Sequence, residues 1–569
     1  MESFPAEANG RTPSLADDPA LGLSHRAKLE ILGAVLLALF LGALDQTIVG
    51  TALPRIVTDL GGNEYYTWVV TIYLLTSTIT VPFYGKLSDL YGRKPMMMFG
   101  VAIFLIGSAL SGLSQNMAML ILFRGIQGIG AGALFPIALA VIGDLYTPAE
   151  RGRYQGLFGA VFGVSFIIGP FLGGFLTDNV SWHWIFYVNI PVGLVSLFVL
   201  ARLLPTVKRA GATRNFDLAG AGVFILAISA LLIGLTNKQS GDWFDLEVGG
   251  LIAASAVLGA LFILIEARAK EPIIPLAMFR NRTYTASLLS TFLVSFGFFG
   301  AIIFLPRWFQ FVHGSSATES GYQIFPLLIG LIGSSIVSGI LVSKTGRYKA
   351  IIITGLVTMS IGIALMTQLK ADTEITTLWF WMFVTGLGIG PTLSVYTIVV
   401  QNAVPFRQLG VATSNLTFFR QIGGSVGLAV TGTIFGSRLV EELPGQLTAA
   451  GVPPQAVSQF SNAGTGALDN LVGVGGDLGT QILSLVPPAL QEAVKPLIPN
   501  IVSGIHSAFT IGVTAAFQIG VVTTVLAAGT ALFLKEIPLR THTGEAPVPV
   551  NSSTNDPVRG GWSGTPTAD

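Results

Sequence analysis

Two ionisable residues, Asp45 and Arg124, lie within long hydrophobic runs of the sequence. A carboxylate inside a membrane helix costs roughly 2.5–3.5 kcal/mol on insertion scales. Asp45 can relieve this cost by taking up a proton, because a neutral acid is cheaper to bury than its anion. Asp45 is therefore predicted to carry a proton or to balance a cationic substrate. The structural alternative is that it pairs permanently with an arginine and locks two helices together.

Arg124 stands in a glycine-rich part of the fourth run. A guanidinium keeps its proton in proteins, so Arg124 cannot carry one itself. It is predicted to set the pKa of a nearby acid or to bind backbone carbonyl groups and water. The alternative is a snorkelling or purely structural residue. Small residues allow membrane helices to approach closely, and this segment has four of them: Gly125, Gly128, Gly130 and Gly132.

A tight, charged turn, Gly85 to Lys94, separates the hydrophobic runs 66–84 and 96–113. Gly85 and Gly92 permit a sharp turn and close helix approach. Asp89 can face the N-terminus of a helix, which carries a partial positive charge.

Two cations close this turn, Arg93 and Lys94. They are predicted to bind acidic groups at the neighbouring loop, such as Asp144 or Glu150. They can also anchor the helix on the cytoplasmic side, where Lys and Arg are enriched. Such anchoring does not explain why an acid, Asp89, stands in the same turn.

Composition excludes several other kinds of chemistry. The chain has no Cys, so disulfides, thiolate metal sites and thiol catalysis are excluded. Its five His residues lack metal-ligand spacing, and no phosphate-binding loop of the Gly-x-x-x-x-Gly-Lys-Ser/Thr type occurs. The net charge of +1 gives no reason to expect nucleic acid. We therefore predict a non-enzyme without cofactor or metal, and expect an ion gradient as its energy source.

Hydrophobic runs must position these residues. Half of the chain is hydrophobic (51%) and only 11% is charged, against roughly 25% in soluble proteins. Runs of about 18 or more apolar residues indicate membrane helices. Fourteen are predicted, over 29–53, 66–84, 96–113, 118–143, 154–176, 184–204, 217–236, 248–266, 284–306, 321–342, 350–369, 377–400, 409–436 and 506–534.

These runs predict an all-α membrane protein with two six-helix bundles and two extra helices. The division along the chain is a cytoplasmic tail (1–28), a first bundle (29–204), two linker helices (205–283), a second bundle (284–540) and a disordered cytoplasmic tail (541–569). An insertion at 437–505 is expected outside the membrane, with short amphipathic helices over 478–486 and 488–501. The insertion either caps the outer mouth of the cavity or has no role in the transport mechanism.

The distribution of Lys and Arg predicts the orientation. With both termini in the cytoplasm, the cytoplasmic side holds roughly four times as many Lys and Arg residues as the outside. An internal repeat supports two related halves: Gly339, Gly346 and Arg347 follow the spacing of Gly85, Gly92 and Arg93, with Ser343 in the place of Asp89. Such halves are expected of transporters that rock about a midplane site.

The turn from Gly85 to Lys94 resembles the loop between the second and third helices of major facilitator superfamily transporters. The resemblance implies that Gly85, Asp89, Gly92, Arg93 and Lys94 form a latch that holds the outward-facing state. The segment around Arg124 is similar to the fourth-helix motif of the family, which implies a part in proton transfer. The similarity covers about 29–436 and 506–534.

The fifth run resembles the antiporter motif of this family, at Gly156, Ser165, Gly169, Pro170, Gly173 and Gly174. Ser165 stands where glycine is usual. Pro170 removes a backbone donor and bends the helix, and only the resemblance links this kink to export by exchange. The stretches 182–193, 216–220 and 415–424, together with the fourteen runs, resemble the fourteen-helix drug:proton antiporters. His183 stands where Arg is common in that subfamily.

The resemblance implies a proton-coupled antiporter that exports lipophilic, cationic drugs or toxic compounds across the cell membrane by alternating access. An exporter of lipids, siderophores or metabolites, or an uptake symporter, is the alternative on the same fold. Expected partners are a small lipophilic substrate, protons and the bilayer, with a monomeric chain. Aromatic and amide side chains suit such cargo through stacking and cation–π contact. The cavity is predicted from Trp68, Tyr73, Gln127, Phe292, Phe296, Phe299 and Tyr396.

Overall fold

The computed structural model of the protein describes residues 23–61, 65–205, 217–238, 241–454, 457, 478–485, 491–492 and 494–539. Within these ranges every regular element is helical. Thirteen helical segments of the described chain are long and apolar enough to cross a membrane. The protein is therefore an all-α, multi-pass membrane protein, as predicted. The predicted tail 541–569 and residues 1–22 of the other tail lie outside the described residues.

The first bundle consists of six spans, the last of which is broken in two. Polar side chains cap the starts of two helices, since Ser24 accepts a hydrogen bond from Ala27 N and Asn116 one from Met119 N. The break in the sixth span falls at Val188. The helices are α1 (His25–Leu60), α2 (Tyr66–Tyr91), α3 (Arg93–Gly112), α4 (Met117–Leu145), α5 (Pro148–Asn179), α6 (Trp184–Tyr187) and α7 (Asn189–Leu203).

Two extra helices follow, α8 (Leu218–Asn237) and α9 (Leu251–Glu266), close to their predicted bounds. α8 packs against α9, against α2 of the first bundle and against α16 of the second bundle. The ring of Phe224 on α8 is 5.7 Å from that of Phe83 and 5.4 Å from that of Phe418. The extra pair therefore covers one seam between the two bundles.

The second bundle has more breaks than predicted. The run 284–306 continues into a separate helix that ends at His313, and the run 321–342 is interrupted at Ile324. The helices are α10 (Arg282–Ile302), α11 (Phe304–His313), α12 (Ala317–Gln323), α13 (Phe325–Thr345), α14 (Lys349–Met366), α15 (Ile375–Ala403), α16 (Leu409–Ala449), α17 (Leu478–Leu485) and α18 (Ile498–Ala531).

The predicted run 409–436 lies in α16, which is not among the thirteen strongly apolar spans. Its Ser, Thr and Asn residues and Arg420 lower its hydropathy. At 41 residues it is nevertheless about 60 Å long. It packs between α10 and α18 of its own bundle and α2 of the other. Its polar residues are thus turned to protein rather than to lipid.

Helices on both sides reach into the predicted insertion, 437–505. α16 continues to Ala449 because Leu439, Leu443 and Leu447 keep an apolar stripe that packs into the core of the second bundle. The predicted short helix over 488–501 is wrong in its C-terminal bound, because Ile498 is already the first residue of α18. The short helix α17 agrees with the predicted 478–486.

Each bundle has its own hydrophobic core. The largest cluster of buried side chains is drawn from Met278 to Leu534, and the next from Ile31 to Leu204. Two separate cores let the bundles move as units. The polar residues between and within them are where function is expected.

Candidate functional site

Asp45 on α1 is fully buried and has charged and amide donors on both carboxylate oxygens. Arg124 Nη1 on α4 donates to Oδ2 at 2.5 Å, and Gln127 Nε2 donates to Oδ1 at 2.8 Å. The same Arg124 nitrogen is 2.8 Å from Gln127 Oε1. The pairing that the sequence left open is therefore present. In this conformation the acid and the arginine neutralise each other.

A second set of polar groups supports this pair. Asn189 Nδ2, at the start of α7, lies 3.4 Å from Asp45 Oδ1 and donates to Ser108 Oγ at 3.0 Å. Ser108 donates in turn to the carbonyl of Phe186 at 2.8 Å. Asn189 Oδ1 is buried without a hydrogen-bond partner in the described chain. Sequence reasoning missed the role of Asn189, although the quoted stretch 182–193 contains it.

Tyr73 on α2 completes the site. Its ring lies 4.2 Å from the Arg124 guanidinium carbon, a cation–π contact, and its hydroxyl is 3.4 Å from the carbonyl of Gly42. A Cβ added at Gly128 or Gly132 of α4 would overlap α2. The glycines therefore allow the close helix packing that was predicted, and this packing brings Arg124 and Tyr73 together.

The chemistry open to this pair follows from what each partner can do with a proton. A buried ion pair is stable only while both partners keep their charges, and removing one charge leaves the other uncompensated. Arg124 cannot lose its proton. Asp45 is therefore the partner whose protonation would break the pair.

The other charged cluster lies at the opposite end of the first bundle. Asp89, at the end of α2, accepts hydrogen bonds from Gly410 N at 3.2 Å and Val411 N at 2.9 Å. These are the first amides of α16, so the carboxylate of one bundle caps a helix of the other. Asp89 was expected at a helix N-terminus, and it lies at one.

Arg93 holds Asp89 in place. Its Nη2 is 2.7 Å from Asp89 Oδ1 and its Nε is 3.0 Å from Asp144 Oδ2. Lys94 instead donates to the carbonyl of Ala201, so its predicted pairing with an acid is wrong. Glu150 binds neither cation, because it forms a capping box with Thr147 at the start of α5.

The bundles meet through backbone at this end. A Cβ at Gly85 would overlap Ser414 of α16, and a Cβ at Gly339 of α13 would overlap the Gly152 carbonyl of α5. Gly85 and Gly339 are the corresponding glycines of the internal repeat. Gly92 and Gly346 end their helices with φ of 98° and 68°, a conformation that favours glycine. The repeat thus forms two equivalent contacts, each from one bundle to the other.

A buried pair of glutamine side chains also connects the two bundles at this end. Gln155 Nε2 on α5 donates to Gln401 Oε1 on α15 at 3.0 Å. Gln401 Nε2 donates to the carbonyl of Leu139 on α4 at 3.1 Å. These glutamines are 246 residues apart, and the sequence carried no signal for their pairing. The structure is therefore closed at the Asp89 end.

The antiporter-motif residues lie along α5 and pack on both bundles. Near one end, Gly156 lies against Ile336 of α13. Near the other, Gly169 and Gly173 lie against α1, and the Ser165 carbonyl accepts a hydrogen bond from Thr47 at 3.1 Å. Thr47 is two residues from Asp45. Pro170 lies within α5 between these glycines, and Gly174 is half-buried.

Only two of the predicted cavity residues join the Asp45 site. Tyr73 and Gln127 are buried within it and face no open space in this conformation. The Tyr396 hydroxyl donates to Ser290 in the second bundle, where Tyr396 is fully buried. The others are partly exposed: Trp68 on α2, and Phe292, Phe296 and Phe299 on α10.

A salt bridge connects the segment that follows α9 to α2, near the Asp89 end. Lys86 Nζ lies 2.6 Å from Glu271 Oε2, and the two side chains are 10% and 32% exposed. We expect Lys86→Glu to lower the free energy of unfolding by about 1–2 kcal/mol, because it sets two like charges together in a partly buried place. Thermal unfolding in detergent measures this loss.

The double variant Lys86→Glu, Glu271→Lys is expected to regain most of the stability. Arg26→Glu is the control, since Arg26 forms an exposed pair with Glu30 and its loss is expected to cost under about 1 kcal/mol. A double variant no more stable than Lys86→Glu alone would contradict the pairing.

The family model of the Major Facilitator Superfamily matches residues 35–428. The chain belongs to the major facilitator superfamily, a family of membrane transporters. The latch-like contacts of Asp89 and the two-bundle fold agree with this membership.

Relatives extend over nearly the whole chain. The multidrug transporter protein MdtP of Bacillus subtilis is 39% identical, over 92% of this chain and 96% of the relative. The tetracenomycin C resistance and export protein of Streptomyces glaucescens is 32% identical, over 96% and 99%. Among solved structures, the human organic anion transporter MFSD10 aligns with a TM-score of 0.53 at 17% identity, over 72% of this chain and 94% of that one. This last similarity concerns the fold alone.

Proposed function

We propose that the protein is a proton-coupled antiporter that exports lipophilic compounds across the cell membrane by alternating access. The observation that carries this proposal is the fully buried Asp45–Arg124 pair, held by Gln127 and Asn189 inside the first bundle. The names of the relatives, which include a multidrug transporter and an antibiotic export protein, support export over uptake. The proposal includes a cytoplasmic location for both termini and a monomeric chain.

In this orientation the Asp89 end faces the cytoplasm and is closed in the structure. The pair lies nearer the other face, since Arg124 is seven residues into α4, which is about 10 Å along the helix. Protons from outside therefore have the shorter path to Asp45. α5 contacts α1 beside Asp45 and α13 at the closed end, so it links the acid to the seam between the bundles.

Protonation of Asp45 removes the charge that holds Arg124. Asn189 can stabilise the neutral acid, because turning its amide brings the unpartnered Oδ1 to accept the new O–H. The freed guanidinium then favours a different arrangement of α1 and α4. A proton that binds one state better than the other shifts the equilibrium between them.

The predicted preference for cations rests on Asp45 as the counter-charge of the cargo. Protein donors bind both of its oxygens here, so a cation would have to displace Arg124. We therefore assign Asp45 to the proton alone and define the cargo by its apolar character.

The test is transport by purified protein in proteoliposomes with an acidic lumen. Two dyes of fixed charge are used, the cation ethidium and a lipophilic arylsulfonate anion, because neither is trapped by pH itself. We expect accumulation of at least one dye, above the level in protein-free liposomes, only while the gradient is present. Accumulation with an acidic exterior instead would indicate a symporter, and no accumulation under either gradient would overturn the proposal.

A further inference from the structure

A second arginine lies deep in the membrane, in the other bundle. Arg420 is eleven residues beyond the first residue of α16, Leu409, or about 16 Å along the helix. This is about half the thickness of the hydrocarbon core. Arg420 is therefore near the midplane, at a level where a charge must face protein or water.

Arg420 lies on the face of α16 that meets α10. It precedes Gly423, Gly424 and Gly427 by three, four and seven residues, the spacing of one helix face. A Cβ at Gly423 or Gly427 would overlap the backbone of Phe292 or Phe296, and one at Gly424 would press on the Phe299 ring. The phenylalanine-bearing part of α10 thus packs against the turns of α16 that follow the arginine.

No protein group neutralises Arg420 within the ranges that the structure describes. Its Nη2 is shielded from solvent and lacks a hydrogen-bond partner, as does Oε1 of the adjacent Gln421. The nearest acids on α16, Glu441 and Glu442, are about 30 Å further along the helix. Asp45 is already engaged with Arg124. The midplane therefore carries one uncompensated positive charge.

We propose that Arg420 binds an anionic oxygen group of the cargo, such as a carboxylate, phenolate or sulfonate carried on an aromatic body. A guanidinium cannot be neutralised by losing its proton, and it forms its strongest hydrogen bonds with anionic oxygens. The Phe292 and Phe296 side chains provide an apolar surface for the body of the ligand. The inference deepens the proposed export function by naming a cargo class, and it reverses the charge predicted from the sequence.

The test measures binding in detergent, which does not depend on proton coupling. Fluorescence anisotropy gives the Kd of the arylsulfonate dye and of ethidium for the wild type, Arg420→Gln and Arg420→Lys. Arg420→Gln is expected to raise the Kd of the anion roughly tenfold to hundredfold, the effect of losing a hydrogen bond to a charged group. Ethidium binding is expected to stay equal or become tighter. Arg420→Lys should retain most anion binding.

The control is Arg438→Gln on the same helix, where Arg438 is exposed and paired with Glu441. It should change neither Kd. Size-exclusion profiles and melting temperatures show whether each variant is folded. Equal losses for both dyes, or no loss for the anion, would overturn the assignment of Arg420. Failure of gradient-driven transport with anion binding intact would instead overturn only the proposed coupling.

Discussion

Asp45→Asn is expected to lower gradient-driven dye accumulation at least about tenfold, which is within the range of coupling energies between linked sites. The asparagine side chain has nearly the same shape as aspartate but cannot take up or release the proton. Glu30→Gln, at an exposed residue of the same helix, is the matched control and should transport normally. Transport is measured in proteoliposomes with an acidic lumen.

Asp45→Asn also leaves Arg124 without a counter-charge, at a cost of about 3–5 kcal/mol for a buried pair. The double variant Asp45→Asn, Arg124→Gln removes both charges and separates the two effects. It should melt at a higher temperature than Asp45→Asn and still fail to respond to the gradient. Proton-driven accumulation by the double variant would show that another group carries the proton.

Gly339→Leu is expected to abolish transport, because the new side chain would overlap the Gly152 carbonyl and prevent closure of the Asp89 end. Gly333→Leu on the same helix is the control, since a Cβ there meets nothing within 4 Å. The chain has no Cys, so a single Ser343→Cys substitution reports on closure. Its Oγ is shielded in the closed structure.

Maleimide should label this cysteine several-fold faster in the Gly339→Leu background than in the wild type. It should label the Gly333→Leu background at the wild-type rate. Slow labelling of the Gly339→Leu protein together with lost transport would show that the substitution damages the fold instead of holding the bundles apart.

The sequence predicted the fold because membrane helices must be long and apolar, and it predicted charged sites because charges there are costly. Asp45, Arg124 and Asp89 stand out for this reason alone. Asn189 and Gln401 carry no charge, and their amide groups can be satisfied by many different partners. Their roles depend on which helices meet, so they became visible only in the structure.

The extension of α16 into the predicted insertion was missed for a different reason. Leu439, Leu443 and Leu447 have the spacing of one helix face, a signal that α16 continues beyond the membrane-length run. Membrane length alone set the predicted end of the run at residue 436. Arg420 lies in the predicted run 409–436, but the lack of an acid beside it could not be known before α10 and α16 were placed together.

The helix pair α8 and α9 makes the two flanks of the transporter unequal. Phe224 bridges Phe83 and Phe418 across one seam, so lipid cannot reach that junction directly. The opposite junction, between α5 and α13, is bordered by side chains exposed on the molecular surface, among them Val164 and Ile329. Lipid tails would therefore meet the two flanks differently, and the additional helices give the protein a front and a back within the plane of the membrane.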